Sequence, residues 1–101
     1  MADEPLARID GAGKLRNGIY LRSVALYSDR IAFEIYASRP LSPVELDSLR
    51  LTDNFDTPYE MLPLAQETLD GRGQIEFALG VPPGWTRLHL AAPGWGFHIV
   101  Q

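Results

Sequence analysis

Four aromatic side chains near the C-terminal end are the residues best suited to recognition or chemistry: Trp85, His89, Trp95 and His98. A hairpin turning at Pro93-Gly94 would pair His89 with His98 and place the two imidazoles side by side on a solvent face. Zinc usually takes three or four protein ligands, and the chain contains no cysteine, so we expect no metal and no cofactor. An exposed polar pair and a pH-sensitive contact are the interpretations that remain.

The two tryptophans occur in the same tripeptide, Pro-Gly-Trp, ending at Trp85 and at Trp95. The segment between them, Thr86 to Ala92, is typical of one strand, about 23 Å long at about 3.3 Å per residue. The tryptophans therefore belong to opposite ends of that strand and cannot form one platform. We expect each to close one end of the core, and to contact a partner where it proves exposed. Trp95 is the better candidate, because it shares the final hairpin with His98, and the predicted partner-binding set is Trp95, His89 and His98.

No arrangement of residues is typical of an active site. The serines lack the glycine setting of a nucleophile elbow, and the carboxylates are too scattered to nominate a glycosidase pair. The segment Gly11-Ala12-Gly13-Lys14 is superficially similar to a phosphate loop, but Leu15 replaces the hydroxyl residue. The oxygen-rich loop from Thr52 to Thr57 has Phe55 where a calcium ligand should be, so turn chemistry explains it. We expect a protein that is not an enzyme.

Short alternating segments separated by turn-forming residues must position these side chains. The clearest is Ile31 to Ala37, where apolar and polar residues alternate with a period of two. The same period recurs in segments 74–80, 86–92 and 96–101, whereas segment 19–27 changes phase near Arg22-Ser23, which indicates a bulge. About seven short strands with no long helix between them predict an all-β fold, an antiparallel sandwich.

Four further segments complete this prediction. Ser42-Pro43-Val44-Glu45 has a capping-box residue at each end and a proline at the first helical position, which predicts one short helical connection. Segment 48–61 predicts a hairpin that turns over Asp53 to Asp56, and segment 64–69 fits either a helical turn or a strand edge. Residues 1–16 show no periodicity and predict a flexible N-terminal tail ahead of a domain at 17–101.

The distribution of charge restricts the possible partners. The net charge is −4, and residues 31–80 carry only Arg39, Arg50 and Arg72 against nine acids. An acidic middle disfavours nucleic acid, which needs a basic footprint, and it also disfavours an anionic membrane surface. The N-terminus has no apolar signal segment, and no run approaches the roughly 20 apolar residues that span a bilayer. We therefore expect a cytoplasmic protein whose oligomeric state is open.

The second half of the chain resembles small immunoglobulin-like domains of bacterial proteins, many of them actinobacterial. In those domains a Leu-x-Asp strand leads through a turn to a tyrosine-bearing strand, and a Pro-Pro-Gly turn later precedes a Leu-x-Leu strand. The matching positions here are Leu51, Asp53, Tyr59, Phe77, Pro82, Pro83, Gly84, Leu88 and Leu90. Those relatives usually have a glycine in the Asp turn, where this chain has Phe55-Asp56. The resemblance implies an immunoglobulin-like β-sandwich of about seven strands and implies no activity.

Three functions fit these expectations. The first is a non-catalytic module that binds another protein, or has a structural role, with an apolar surface patch that contains a tryptophan. The second is a carbohydrate-binding domain, which needs two or more exposed aromatics on one face, from Tyr20, Tyr36 or Tyr59 together with one tryptophan. The third is a small acidic immunity or inhibitor protein that uses residues 31–80 to cover a basic active site.

Overall fold

A computed structural model describes residues 4–63 and 69–101, with the side chains of 12–16 and 69 set aside. Eight strands and one short helix follow one another in the described residues: β1 Ala7–Arg16, β2 Ile19–Leu26, β3 Ile31–Leu41, α1 Pro43–Asp47, β4 Arg50–Asp53, β5 Glu60–Met61, β6 Leu69–Ala78, β7 Arg87–Ala92 and β8 Trp95–Val100. The protein is thus mostly β, as the alternating segments predict.

The strands form two antiparallel sheets that share one hydrophobic core. The order is β1-β2-β3-β6-β5 in the five-stranded sheet and β4-β7-β8 in the three-stranded sheet. Because side chains alternate along a strand, every second residue of each sheet faces the other sheet. Phe33 and Phe77 meet edge to face at the centre of this core, with ring centroids 5.9 Å apart. Each sheet therefore keeps one outer face, which points away from the core.

The final hairpin has the register that the sequence predicts. In the β7–β8 pair, His89 lies opposite His98, and the flanking pairs are Leu90 with Phe97 and Leu88 with Ile99. The four flanking residues are buried, so the histidines point outward. Pro93 and Gly94 make the turn, and Gly94 has φ +84°, a conformation that glycine adopts without steric cost.

The phase change in β2 is also confirmed. The register between β2 and β3 shifts by one residue between Leu21 and Ser23, which places a bulge at Arg22. The bulge lets both Leu21 and Val24 face the core, although they are three residues apart. It also turns Arg22 outward, to the solvated side of the sheet.

The N-terminal segment differs from the predicted tail. Residues Ala7–Arg16 form β1, which pairs with β2 along the edge of the five-stranded sheet. Asn17 and Gly18 join the two strands with φ of 50° and 81°, the paired positive angles of a tight hairpin turn. Gly11 is buried close to β2, where a side chain would collide with the carbonyl oxygen of Leu21. Gly11 therefore serves the close packing of β1 on β2, although a glycine in this segment is equally typical of a loop.

The predicted hairpin over Asp53 to Asp56 is wrong. β4 pairs with β7 in one sheet, whereas β5 pairs with β6 in the other, so the connection crosses between sheets. β4 and β5 both direct apolar residues toward the core. Two such strands show the same alternating pattern whether they pair in one sheet or lie in facing sheets, so the pattern cannot distinguish a hairpin from a crossing. Asp56 has φ +56°, the region that a glycine favours.

The short helix begins where the capping signal predicts. Ser42 is the N-cap of α1 and its hydroxyl accepts a hydrogen bond from the Glu45 backbone N–H at 3.3 Å. Leu46 is buried, so α1 packs on the core as it carries the chain from one sheet to the other. Most of segment 64–69 lies outside the described residues. Within the described part of the chain, no helix is long and apolar enough to cross a bilayer.

A buried carboxylate organises the crossing between β4 and β5. Asp53 accepts hydrogen bonds from the backbone N–H groups of Phe55 and Thr57, from the Thr57 hydroxyl at 2.6 Å, and from the Tyr59 hydroxyl at 2.9 Å. Burial acts to raise the pKa of Asp53, but these donors outweigh it and hold that pKa below its ordinary value. The pKa of Tyr59 is raised by burial and by the carboxylate it bonds.

We predict that Asp53→Ala lowers the free energy of unfolding by roughly 2–4 kcal/mol. The variant removes the charged acceptor and leaves the donors that surround it without a partner. The pKa of Asp53 is lower in the folded protein than in the unfolded chain, so its contribution is complete above the unfolded pKa. That contribution is lost as the pH falls through the folded pKa. Urea unfolding at neutral pH and near pH 3 measures both effects.

Asp47→Ala is the matched control, because Asp47 is an exposed acid. It should change the free energy of unfolding by no more than about 0.5 kcal/mol. Equal losses in the Asp53 and Asp47 variants, or a difference that does not shrink in acid, would contradict this account of Asp53.

Candidate functional site

The three residues predicted to bind a partner lie on opposite sides of the same sheet. Trp95 begins β8 and points into the core, whereas His89 on β7 and His98 on β8 point to solvent. Trp95 is only 6% exposed. The exposure on which a partner contact by Trp95 depends is therefore missing, and the two histidines are the accessible members of the predicted set.

Trp95 instead anchors the helix. Its indole N–H donates a hydrogen bond of 2.8 Å to Glu45 Oε2, and the guanidinium of Arg39 donates two bonds to the same carboxylate, at 2.7 and 3.0 Å. Arg39 Nε also donates to the carbonyl oxygen of Asn17 at 2.9 Å. These four residues, which we name the Glu45 cluster, join α1, β3, β8 and the β1–β2 turn.

The pKa of Glu45 is lower than that of a free glutamate. The bidentate bonds from Arg39 are the largest cause, burial opposes them, and the Trp95 bond adds to the lowering. The carboxylate is thus ionised and fully engaged at neutral pH. The capping-box glutamate of the sequence consequently serves mainly to bind Arg39 and Trp95.

Trp85 is as deeply buried as Trp95. It is 6% exposed and belongs to the same core cluster, at the other end of β7. Both tryptophans therefore close the ends of the core, as expected for residues separated by a strand. Because both tryptophans are buried, neither can form the Trp-containing surface patch expected of a protein-binding module. Any binding surface must therefore be made by other residues.

His89 and His98 are in direct face-to-face contact. Their ring centroids lie 4.0 Å apart and their planes are inclined by only 7°. Gly96 lies two residues before His98 on β8 and opposite Ala91, and a Cβ atom at Gly96 would lie 3.2 Å from His89 Nε2. The missing side chain at Gly96 therefore leaves room for the His89 ring.

The surroundings of His89 disfavour its protonation. The pKa of His89 is lower than the ordinary histidine value because of partial burial, and also because His98 and Arg87 are close.

The outer face of the three-stranded sheet surrounds this pair. We name it the histidine face, and its eight residues are Arg50, Thr52, Arg87, His89, Ala91, Gly96, His98 and Val100. None of the eight is an acid, although the chain as a whole carries a net charge of −4. Val100, 71% exposed, adds an apolar contact at one edge. The face is therefore cationic with an apolar margin.

The two arginines of the histidine face differ in their surroundings. Arg50 Nη1 donates to the backbone carbonyls of Asp47 and Leu49, so its guanidinium is held at the end of α1. Arg87 is exposed and makes no ion pair within residues 4–63 and 69–101. Arg87 is not among the site residues predicted from the sequence, although it shares the outward phase of His89 in segment 86–92. The alternation of β7 was the signal that could have identified it.

The described residues contain no group of three or more side chains able to hold a metal ion. Two stacked imidazoles and two guanidiniums can instead bind an anionic group through charge and hydrogen bonds. The histidine face is thus a candidate recognition surface. Two exposed tyrosines, Tyr20 and Tyr36, lie on the outer face of the other sheet.

Comparisons of the chain with protein-family models, with curated proteins and with solved structures found no match. No residue role comes to this chain from a relative. The case for function therefore rests on the geometry and charge of its own side chains.

We predict that His98→Asn raises the pKa of His89 toward the ordinary value of about 6.5, because the variant removes a neighbouring positive charge and opens the ring to water. Imidazole titration by NMR from about pH 5 to pH 8 measures it. Because the folded pKa of His89 is the lower one, wild-type stability should fall as the pH drops through the unfolded value.

Arg87→Gln should also raise the pKa of His89, since Arg87 is the other nearby cation. Arg72→Gln, on the opposite sheet, serves as the control and should leave it unchanged. A pKa of His89 at or above the ordinary value in the wild type would contradict the described stack. A pKa that does not change in His98→Asn would contradict it as well.

Proposed function

We propose that this chain is a non-catalytic protein-binding module whose histidine face binds an acidic surface of another protein. The observation that supports the proposal most is the charge of that face. Eight outward residues on three paired strands include two arginines, two histidines and no acid, on a chain with a net charge of −4. Charge complementarity of this kind guides association and fixes orientation.

The donors of the histidine face suit carboxylate recognition. Arg87 is unpaired within the described part of the chain, and Arg50 uses only Nη1 for its two backbone bonds, which leaves Nε and Nη2 available. Guanidinium groups bind carboxylates through two parallel hydrogen bonds. The histidine pair lies between these arginines on the middle and edge strands, and His89 gains positive charge in acid.

The strands hold this face rigidly. β7 lies between β4 and β8, and the inward neighbours of its outward residues, Leu88 and Leu90, are fully buried. The backbone of paired strands loses little conformational freedom on binding, which favours affinity. Rigid support on one side and free donors on the other are what a binding surface requires.

We also propose that the fold is immunoglobulin-like. If β2, β3, β5 and β6 are named A, B, D and E, the five-stranded sheet has the order A-B-E-D with β1 added at its edge. The three-stranded sheet then has the order C-F-G, with β4 as C. This order supports the bacterial immunoglobulin-like resemblance, and the extra strand β1 departs from it. The cytoplasmic location expected from the sequence stays a prediction.

The other two functions have different support. The hypothesis of an acidic immunity or inhibitor protein has less support, because four of the nine acids in residues 31–80 already have partners within the chain. These four are Glu34, Glu45, Asp53 and Glu76. The carbohydrate-binding alternative is supported by residues on the other sheet, where Tyr20 and Tyr36 are exposed together. It does not depend on the histidine face.

We predict that an acidic peptide, hexaglutamate, binds the histidine face, because its carboxylates match the two arginines and the histidine pair. Amide NMR shifts should move at Arg50, Thr52, Arg87, His89 and His98. Binding should tighten as the pH falls through the range in which His89 gains its proton, and should weaken with added salt. Arg87→Glu should lower the affinity roughly tenfold, which is about 1.4 kcal/mol.

Arg72→Glu is the matched control, since it makes the same charge change on the outer face of the other sheet. Equal losses for the two variants would show that hexaglutamate senses only the net charge, and the proposal would then fail. Shift changes confined to residues outside the histidine face would contradict it as well.

A further inference from the structure

The outer face of the five-stranded sheet carries an exposed aromatic pair. Tyr20 on β2 lies opposite Tyr36 on β3, and Arg72 on β6 is the next residue in the same row. The two tyrosines are 38% and 43% exposed, with ring centroids 6.3 Å apart and planes inclined at 57°. Because the core lies on the other side of the sheet, these ring faces remain available to a ligand.

A shallow concavity of about 240 Å³ adjoins this row. It lies over the next row of the same strands, and its polar lining comes from Arg22, Glu34, Arg72 and Gln74. Arg22 reaches the concavity because the β2 bulge turns it outward. We name these four residues, together with Tyr20 and Tyr36, the tyrosine face.

The charges of the tyrosine face do not cancel. Glu34 Oε2 accepts a hydrogen bond from the Ser23 hydroxyl at 2.8 Å and lies 3.4 Å from Arg8 Nη1, so Arg8 already neutralises that carboxylate. Arg22 and Arg72 make no ion pair within the portion of the chain that the structure describes. Two guanidiniums beside the concavity are thus left to bind an anion.

We infer that the tyrosine face binds a carboxylate-bearing saccharide, that is, an oligosaccharide that contains uronic acid units. A sugar ring has an apolar C–H face, which fits the tyrosine rings, and a polar edge, which fits the planar side chains of Gln74 and Glu34. Arg22 and Arg72 bind the carboxylate in a bidentate manner. A concavity of this size beside an aromatic row suits one or two sugar units better than a folded partner.

The position of the face in the sheet favours a saccharide over a peptide. β2 and β3, which carry the two tyrosines and Arg22, are interior strands, so their backbone groups pair within the sheet. An extended peptide cannot add itself as a strand beside the tyrosines, because strand addition needs a free edge. Recognition at the two tyrosines must therefore come from side chains. This inference concerns the sheet opposite the histidine face and does not rest on the proposed function.

NMR titration of the whole chain tests the inference, since both tryptophans are buried and their fluorescence would not report on this face. The probes are trigalacturonate, trimannuronate and a hyaluronan tetrasaccharide, each compared with its neutral carboxyl-reduced counterpart and with hexaglutamate. At least one uronate should give saturable shifts at Tyr20, Arg22, Tyr36 and Arg72 with a Kd below about 1 mM. Its neutral counterpart should bind at least about tenfold more weakly.

Four variants complete the experiment. Arg72→Gln and Tyr36→Ala should each weaken uronate binding at least about fivefold, which is about 1 kcal/mol, whereas Tyr36→Phe keeps the ring and should stay within about twofold. Arg87→Gln, on the histidine face, should have no effect. The inference is overturned if none of the three uronates saturates, if the neutral sugars bind equally well, if hexaglutamate binds this face more tightly, or if Tyr36→Ala binds normally.

Discussion

The contact on which the two sheets depend is the bond between Trp95 and Glu45. Trp95 belongs to the three-stranded sheet, Glu45 to the helix that connects the sheets, and Arg39, which binds the same carboxylate, to the five-stranded sheet. A partly buried carboxylate is stable only when its oxygens accept hydrogen bonds. Arg39 and the Trp95 indole N–H donate those bonds to Glu45. Asn17 extends the contact to the first hairpin. One end of the sandwich is thus held by directional bonds, and burial of apolar side chains holds the rest.

This arrangement explains why the proposed recognition surfaces lie on the sheet faces. The core uses both tryptophans at its ends, so the largest aromatic side chains are not available to a partner. Strand alternation then assigns the remaining outward residues to two faces with different chemistry. One face combines arginines with a histidine stack, and the other combines tyrosines with arginines and amide or carboxylate groups. Each face is supported from behind by a packed core, which makes its geometry well defined.

Much of the fold could be predicted from the sequence, because strong local signals agree with the final structure. The alternation around His89 and His98 predicts their pairing, and Ser42 with Pro43 predicts the start of the helix. The errors arose where one pattern permits two structures. A hairpin and a crossing between sheets give the same alternation around Asp53, and glycine serves equally for a loose loop and for the close approach of Gly11 to β2. The Asn17-Gly18 pair is a strong hairpin signal, but the segment before it has no periodicity that would predict the first strand.

The candidate site was only partly predictable for a similar reason. His89 and His98 follow from the register of one hairpin, so local sequence sufficed. The partnership of Trp95 with Glu45 joins residues 50 apart in the chain, and no periodicity reports such a contact. The Tyr20–Tyr36 pair likewise depends on the bulge at Arg22, which sets the register between β2 and β3. Residues brought together by the packing of sheets and helix need the three-dimensional structure, whereas residues of one hairpin do not.

A double-mutant cycle tests most directly whether Trp95 is a structural anchor. Trp95→Phe, Glu45→Ala and the double variant would be compared with the wild type by urea unfolding at neutral pH. Because the indole N–H bonds an ionised carboxylate, we predict a coupling of about 1–2 kcal/mol. Additive losses, with a coupling near zero, would contradict it and would show that Trp95 and Glu45 do not hold the helix to the three-stranded sheet.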